Sequence, residues 1–544
     1  MSAPRSRWVE GSTLVLGVGL VALGLFRLSS HTEGIERRTT TVDGTPVTVL
    51  VPATSRPAPA VVVAHGFAGS RTLMQAFSLT LARSGYVAVA FDFPGHGDHP
   101  RPLGGTLGSP ARTASLRAAL EAAVGAAREL DASDGRVALL GHSMAGEILV
   151  RHAQDDPDIA AIVGLSPYLS EAPAAGSLGA PLLVAYGGFE PELLSAQGRA
   201  AVAAIAEIPP AEVEPGRTYG EGPRARRLAI IEGAEHIGIL FSPPALREAV
   251  TFLDAAFSVD RIGPAPLAPR RAGLLAYYLG VVLIAFALAR RLPVVSEASR
   301  GAGLRGRRFA VAALGPAVLT PVLLSPVSTD FLPSLLADHL ALHFAVYGLL
   351  TAAASTAFGV RPGDLVQGLR AHPFAIALAA VVVFQLGALG WGTDRMLATY
   401  FPGPGRGLTT LAVLAGATLW SVADEWLTRG EGAQPAAYLI TKVCFLASLL
   451  LGVALNPGQL FFLVIIVPAI LVLFLVHGLL SRWIHAGTGH PLVAALAHAL
   501  AFALVVSATF PVVTDEPQRG EGSASSGTGA GVDRAGGFAE DASR

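Results

Sequence analysis

From residue 272 onward the sequence is one apolar stretch after another. Candidate membrane spans lie near 272–289, 309–328, 334–357, 373–392, 407–424, 436–456, 459–480 and 491–513. A bilayer is crossed by roughly 17 to 25 apolar residues in a helix. This half of the chain is therefore expected to form an all-α polytopic membrane domain of about eight helices. One more stretch, Gly11 to Leu28, follows Arg5 and Arg7. Leu28-Ser29-Ser30-His31-Thr32 lacks the small-residue pattern of a cleavage site, so residues 1–35 read as an uncleaved anchor rather than a signal peptide. Composition agrees: 52% of residues are hydrophobic and 15% charged, where a soluble protein carries about 25% charged residues. The net charge of -1 excludes a nucleic-acid footprint. Cys444 is the only cysteine, so no disulfide forms within the chain. Lys442 is the only lysine among many arginines, a bias expected of a GC-rich bacterial genome.

Residues 36–258 have a different grammar. Short apolar runs bounded by Pro and Gly recur, as buried parallel strands do. They lie at Pro59 to Ala64, Tyr86 to Phe91, Val137 to Leu140, Ile159 to Leu165, Pro181 to Tyr186 and Arg227 to Ile231. The run at 137–140 leads through Gly141-His142-Ser143-Met144-Ala145-Gly146 into a helix from about Met144 to Ala153. A G-x-S-x-[GA] turn between strand and helix presents a serine hydroxyl at a strained elbow, facing a helix N-terminus. The strand at 59–64 ends in His65-Gly66-Phe67-Ala68-Gly69-Ser70. Such a turn supplies one backbone N–H of an oxyanion hole, here Phe67, and the residue after the serine, Met144, supplies the other. The strand at 181–186 ends in Gly187-Gly188-Phe189-Glu190, and the last one in Glu232-Gly233-Ala234-Glu235-His236. Ser143, Glu190 and His236 thus follow the chain order nucleophile, acid, base. Glu192 is an alternative acid.

With Asp92-Phe93-Pro94-Gly95-His96-Gly97, these motifs resemble the α/β-hydrolase superfamily, in its dienelactone-hydrolase and serine-peptidase-like branch. Ala145 stands where that pattern has Gly, and Glu190 where it usually has Asp. The resemblance implies a mostly parallel sheet with helices on both faces. It also implies a mechanism. Ser143 attacks an acyl carbon while His236 takes its proton, Glu190 orients His236, the Phe67 and Met144 N–H groups bind the oxyanion, and water releases the acyl group. Activity should fall as His236 protonates. The substrate would be a small molecule, lipid or peptide bearing an ester, thioester or peptide bond, and no cofactor or metal is called for. A non-catalytic membrane binding or transport protein is the competing reading. The segment 191–226 and the loop 167–180 are the candidate caps over the site.

Arginine placement gives an orientation. The loop from Ala289 to Arg308 carries Arg290, Arg291, Arg300, Arg305, Arg307 and Arg308 and should be cytoplasmic. Counting spans from there places Arg5, Arg7, Arg361, Arg370, Arg429 and Arg482 inside a bacterial plasma membrane. The hydrolase domain, Arg395, Arg406 and a polar tail (514–544, expected to be disordered) fall outside. Residues 259–271 form the linker and 272–513 the membrane domain.

Within the spans, Asp424-Glu425-Trp426-Leu427-Thr428-Arg429-Gly430 and the stretch Gly487 to His498 resemble the CAAX-protease-like intramembrane metalloproteases. That resemblance implies a metal held by Glu425 and His498, with His477 as a possible stand-in ligand. The family's other histidine is missing, and Phe502 replaces its asparagine, so a degenerate relative is expected. The simpler reading of Glu425 and Arg429 is an i,i+4 ion pair. Asp338, His339 and His343 form a second polar group. His339 and His343 share one helix face, where hydrogen bonding between helices is the plain expectation.

Overall fold

The computed structural model describes residues 4–53, 56–105, 108–170 and 177–514. The side chains of Arg5 and Arg7 and the tail 515–544 lie outside the described residues.

Helix α1 (Pro4–Ser30) leads into strands β1 (Ile35–Val42), β2 (Thr45–Pro52) and β3 (Ala58–Ala64). Then come α2 (Gln75–Arg83), β4 (Val87–Phe91), β5 (Leu103–Gly104), α3 (Pro110–Glu129), β6 (Ser133–His142), α4 (Ala145–Asp155) and β7 (Ile159–Leu165). The domain closes with β8 (Leu182–Gly187), α5 (Glu192–Ala206), β9 (Thr218–Tyr219), β10 (Arg226–Ile231) and α6 (Pro243–Phe257). The sheet order is β1-β2-β4-β3-β6-β7-β8-β10-β9. All pairings from β4 to β10 are parallel, while β1, β2 and β9 run antiparallel at the edges. Strands β3, β4, β7 and β8 are fully or almost fully buried, as is β6 from Val137 to His142. That is why they read as continuous apolar runs: helices cover both faces. One core cluster joins α3, α4 and α5 to one face of the sheet, and another joins α2 and α6 to the opposite face.

The chain goes from β3 to β4 on one side, then returns to place β6 on the other. The carboxyl ends of β3 and β6 therefore lie side by side at the point where the winding reverses, the usual crevice for a ligand in such a sheet.

The segment 191–226 is not a cap. Its helix α5 buries Ala201, Val202 and Ile205 in the core under β8 and β10, so it is an ordinary sheet-covering helix. Of the loop 167–180, residues 171–176 lie outside the described residues.

Among the described residues, nine helices are long and apolar enough to cross a membrane. The first is Trp8–Ser30 in α1. The others are α7 (Arg271–Ala289), α8 (Gly306–Leu324), α9 (Ala337–Ala357), the run of α10 (Ala371–Phe384) through α11 (Trp391–Met396), α12 (Gly407–Thr428), α13 (Ala437–Leu455), α15 (Phe462–Thr488) and α16 (Leu492–Thr509). A single turn, α14 (Pro457–Leu460), precedes α15. Small residues let backbones touch, as expected where no water drives helices together. A Cβ on Gly416 would lie 2.2 Å from the Ala341 carbonyl oxygen. Between α10 and α11 the helix widens into a π turn, Gln385–Gly390.

The α/β domain sits against one end of this bundle. Gln75 Nε2 donates to Arg395 O at 3.2 Å, and Arg270 Nη2 donates to Met396 O at 3.1 Å. Buried Arg406 donates to Ser507 O (2.5 Å), Phe510 O (2.6 Å) and Gly95 O of the α/β domain (2.5 Å). Thr514, expected to open the tail, belongs instead to β11 (Val513–Thr514), which pairs in parallel with β5. The loops between the other helix ends gather at the far end, where Arg300 N meets Gly489 O and Ala302 N meets Trp426 O. The alternation of loops expected from the span count is thus present.

Candidate active site

Ser143 occupies the turn between β6 and α4. Its φ is 52°, a left-handed conformation that costs a non-glycine residue of order 1 kcal/mol or more and persists only where the surroundings enforce it. They do: Ser143 N donates to Leu165 O at 3.0 Å, and its carbonyl accepts from Gly146 N and Tyr168 N, each at 2.9 Å. Ser143 is 7% exposed.

His236, on the loop after β10, brings Nε2 to 3.0 Å from Ser143 Oγ and Nδ1 to 3.0 Å from Glu190 Oε2. Glu190 follows β8 and its carboxylate is closed to solvent. The other oxygen, Oε1, accepts from Gly187 N at 2.7 Å and from the Ser166 hydroxyl. The extra length of glutamate over aspartate is thus absorbed by anchoring one oxygen on the strand ends and extending the other to the imidazole. Glu192, the alternative acid, begins α5 and makes no such contact. The structure therefore brings together Ser143, His236 and Glu190, three residues from three loops at one sheet edge.

The loop that follows β3, expected to carry an oxyanion donor, lies directly beside the serine. A Cβ on Gly66 would sit 2.9 Å from Ser143 Cβ, 2.9 Å from His142 Nδ1 and 3.1 Å from His142 O, so only glycine permits this approach. Among the described residues, the N–H groups of Phe67 and Met144 donate to no protein acceptor, which leaves both for a ligand. Buried His65 fixes the start of the loop: its Nε2 accepts from Phe93 N at 3.0 Å, so Nδ1 carries the proton and donates to Gly66 O at 2.8 Å. Asp92 accepts from Arg71 N at 2.7 Å and from the Arg71 side chain, closing the loop's other end.

Three further residues were not visible from sequence. Ser166 hydrogen bonds Glu190, though 24 positions away. His142 donates from Nε2 to His236 O at 2.9 Å, and burial, helped by the nearby His236, holds its pKa down at about 3. Phe462 of the membrane bundle stacks on Phe67, ring centroids 4.5 Å apart, with Phe510 tilted at 6.3 Å. The side chain of Phe67 is thus packed against the helical bundle.

Of the polar groups within the apolar helices, Glu425 is paired, whereas Asp338 Oδ2, His339 Nε2, His343 Nδ1, His477 Nδ1 and His498 Nε2 are buried without a hydrogen-bond partner among the described residues. Glu425 Oε2 accepts from Arg429 Nε at 3.1 Å and from the Ser481 hydroxyl, the i,i+4 pair of the simpler reading. His477 and His498 meet edge to face, ring centroids 4.5 Å apart. His343 Nε2 meets Ser448 Oγ at 3.1 Å across two helices. No group of three or more His, Cys, Asp or Glu among the described residues is arranged to hold a metal ion.

Residues 55–195 match the family model described as serine aminopeptidase, S33. No curated protein matches the chain. Similar solved structures include a dienelactone hydrolase from Anabaena variabilis, 17% identical, covering 42% of this chain and 98% of that one at TM-score 0.31. A predicted CIB-like hydrolase from Thermoplasma acidophilum is 22% identical, covering 40% and 97% at TM-score 0.30. A hypothetical protein from Pseudomonas aeruginosa is 15% identical, covering 41% and 94% at TM-score 0.32. The family match and the sheet order described above identify an α/β-hydrolase domain within this chain.

Proposed function

We propose that the protein is a membrane-embedded serine hydrolase. The observation that carries this reading is the unbroken chain from Ser143 Oγ through His236 to Glu190, with both links at 3.0 Å and the serine held at a left-handed elbow. As Ser143 Oγ attacks an acyl carbon, its proton passes to His236 Nε2. The oxyanion is held by the Phe67 and Met144 N–H groups. His236 then gives the proton to the leaving alcohol, thiol or amine, and the acyl group stays on Ser143. Water, deprotonated by the same nitrogen, releases it as an acid. Glu190 holds Nδ1 protonated, which keeps Nε2 open to accept.

Tyr168 and Phe189 on the loops after β7 and β8, and Leu193 in the first turn of α5, are exposed near this site, which suits an acyl group with apolar character. The arginine-rich loop at 289–308 favours a cytoplasmic far end, and hence a hydrolase domain outside the cell. The metal-dependent alternative is disfavoured because Glu425 is already committed to Arg429 and Ser481.

The test is labelling of membranes with a tagged fluorophosphonate. Wild type should label and Ser143→Ala should not. Absence of labelling in well-folded wild type would overturn the reading.

A further inference from the structure

A cavity of about 300 Å³ lies at the opposite flank of the oxyanion loop, where the hydrolase domain meets the first two spans. Its walls include three arginines, Arg37, Arg71 and Arg270, and three threonines, Thr32, Thr48 and Thr72. Arg71 is neutralised, since its guanidinium binds Asp92 and, at 2.8 Å, Asp98. Arg37 and Arg270 have no acidic partner among the described residues. Arg270 is only 4% exposed. One of its nitrogens donates to Met396 O, and its Nε is buried with no partner. Burial, with the charge of Arg37 adding to it, lowers the Arg270 pKa to about 10. A cation placed so deep, beside a second unpaired cation, is expensive unless an anion joins it.

The depth of the cavity in the assembly indicates which anion. Thr32 stands two residues beyond the end of α1, and Arg270 immediately precedes α7. These two helices pack along each other, with Gly24 against the backbone of Tyr277. The cavity therefore lies where both helices leave their apolar stretch, at headgroup level. Its remaining wall is mixed, with Ile35, Leu50, Leu79 and Ala90 beside the polar Gln75 and Ser78.

We propose that this cavity binds a phosphate group, monoester or diester, held between the guanidinium groups of Arg37 and Arg270 with threonine hydroxyls as additional donors. Guanidinium forks match phosphate oxygens in pairs. The site does not depend on the hydrolase reading. A phospholipid headgroup and a free phosphate share this chemistry.

The experiment uses the full chain purified in detergent. Native mass spectrometry scores retention of phosphatidylglycerol against phosphatidylcholine, and thermal unfolding is followed with inorganic phosphate against chloride at equal ionic strength. Arg37→Gln, an exposed position, and Arg270→Met are compared with wild type. Retention of phosphatidylglycerol, reduced about tenfold in either variant, supports the site with a lipid as ligand. A rise in unfolding temperature with inorganic phosphate alone, lost in Arg37→Gln, supports it with a soluble ligand. If wild type prefers neither phosphatidylglycerol nor phosphate, or if Arg37→Gln binds both as wild type does, the proposal fails. Arg37→Gln keeps the test decisive if Arg270→Met does not fold.

Discussion

Glu190→Gln keeps the length and planarity of the side chain, so its cost must come from charge and proton placement. The surroundings decide which way the new amide turns. Oε1 accepts from Gly187 N, a backbone group that can only donate. The amide oxygen must take that position, and the amide nitrogen then faces His236 Nδ1, 3.0 Å away in the native site. A donor there forces the imidazole into the tautomer with its proton on Nε2. That nitrogen, 3.0 Å from Ser143 Oγ, can then no longer take the serine proton. A triad histidine trapped in the wrong tautomer loses roughly 10⁴ in kcat, about 5 kcal/mol of barrier at 1.36 kcal/mol per factor of ten. The assay is hydrolysis of a chromogenic short-chain ester, with the second-order rate of fluorophosphonate labelling as a substrate-independent readout. KM should change far less than kcat, because the carboxylate touches no substrate. A Glu190→Gln variant within tenfold of wild type in both readouts would refute the tautomer argument and, with it, the role of Glu190.

Other outcomes follow from the same geometry. Gly66→Ala should lower the labelling rate by about 100-fold or more, the cost of losing one oxyanion donor, while circular dichroism stays native; an unchanged rate would separate the Gly66 loop from the chemistry. Phe462→Ala removes the ring stacked on Phe67 and should slow the reaction about tenfold with membrane insertion intact, since small displacements of a reacting group carry large rate penalties. Arg406→Met removes a charged donor from the carbonyls of Ser507, Phe510 and Gly95, of which Gly95 O keeps only the Val512 N–H. At roughly 1.5–3 kcal/mol for each bond to a charged donor, it should make the hydrolase domain markedly more sensitive to limited proteolysis, whereas a wild-type digestion pattern would count against that bridge. Acid should destabilise the fold through His142 and His99, whose pKa values burial holds at about 3 and about 4. Between those values and about 6.5 the unfolded chain takes up protons that the native state refuses, so stability is present above that window and declines as pH falls into it. The two groups together contribute a loss on the order of 3–4 kcal/mol at pH 5 relative to pH 7. Thermal unfolding in detergent at the two pH values checks this, and an unchanged or higher unfolding temperature at pH 5 would contradict it.

The grouping of Ser143, Glu190 and His236 was legible because each of its pieces is local. The serine sits in a hexapeptide that has to turn, and Glu190 and His236 each lie just past an apolar run that must be a strand. Phe67 and Met144 follow from the same local rule. Ser166 was hidden because its role depends on β7 and β8 lying side by side, which no short window reports. The segment 191–226 reads as a candidate cap in the sequence, although Ala201, Val202 and Ile205 form one apolar face of a helix that belongs under the sheet. The apolar helices were readable from hydropathy, though α15 runs to Thr488, eight residues past the expected end at 480, and the π turn at Gln385–Gly390 was not, since it leaves no mark in mean hydropathy. Arg406 stood out only as a charge outside the spans. That it bridges two domains depends on residues 95 and 510, far away in sequence.

The pairing of β5 with β11 has a bearing on how the protein is made. Leu103 and Val513 are partners, yet about four hundred residues and eight spans are synthesised between them. The hydrolase domain can therefore fold long before its last strand leaves the ribosome, and β5 must wait as a bare edge for the whole insertion sequence to finish. An open edge pairs readily with the wrong chain. The two-residue length of β5 keeps that exposure short. Closure by β11 would then act as a late check, made only when the final helix has been threaded in the correct direction.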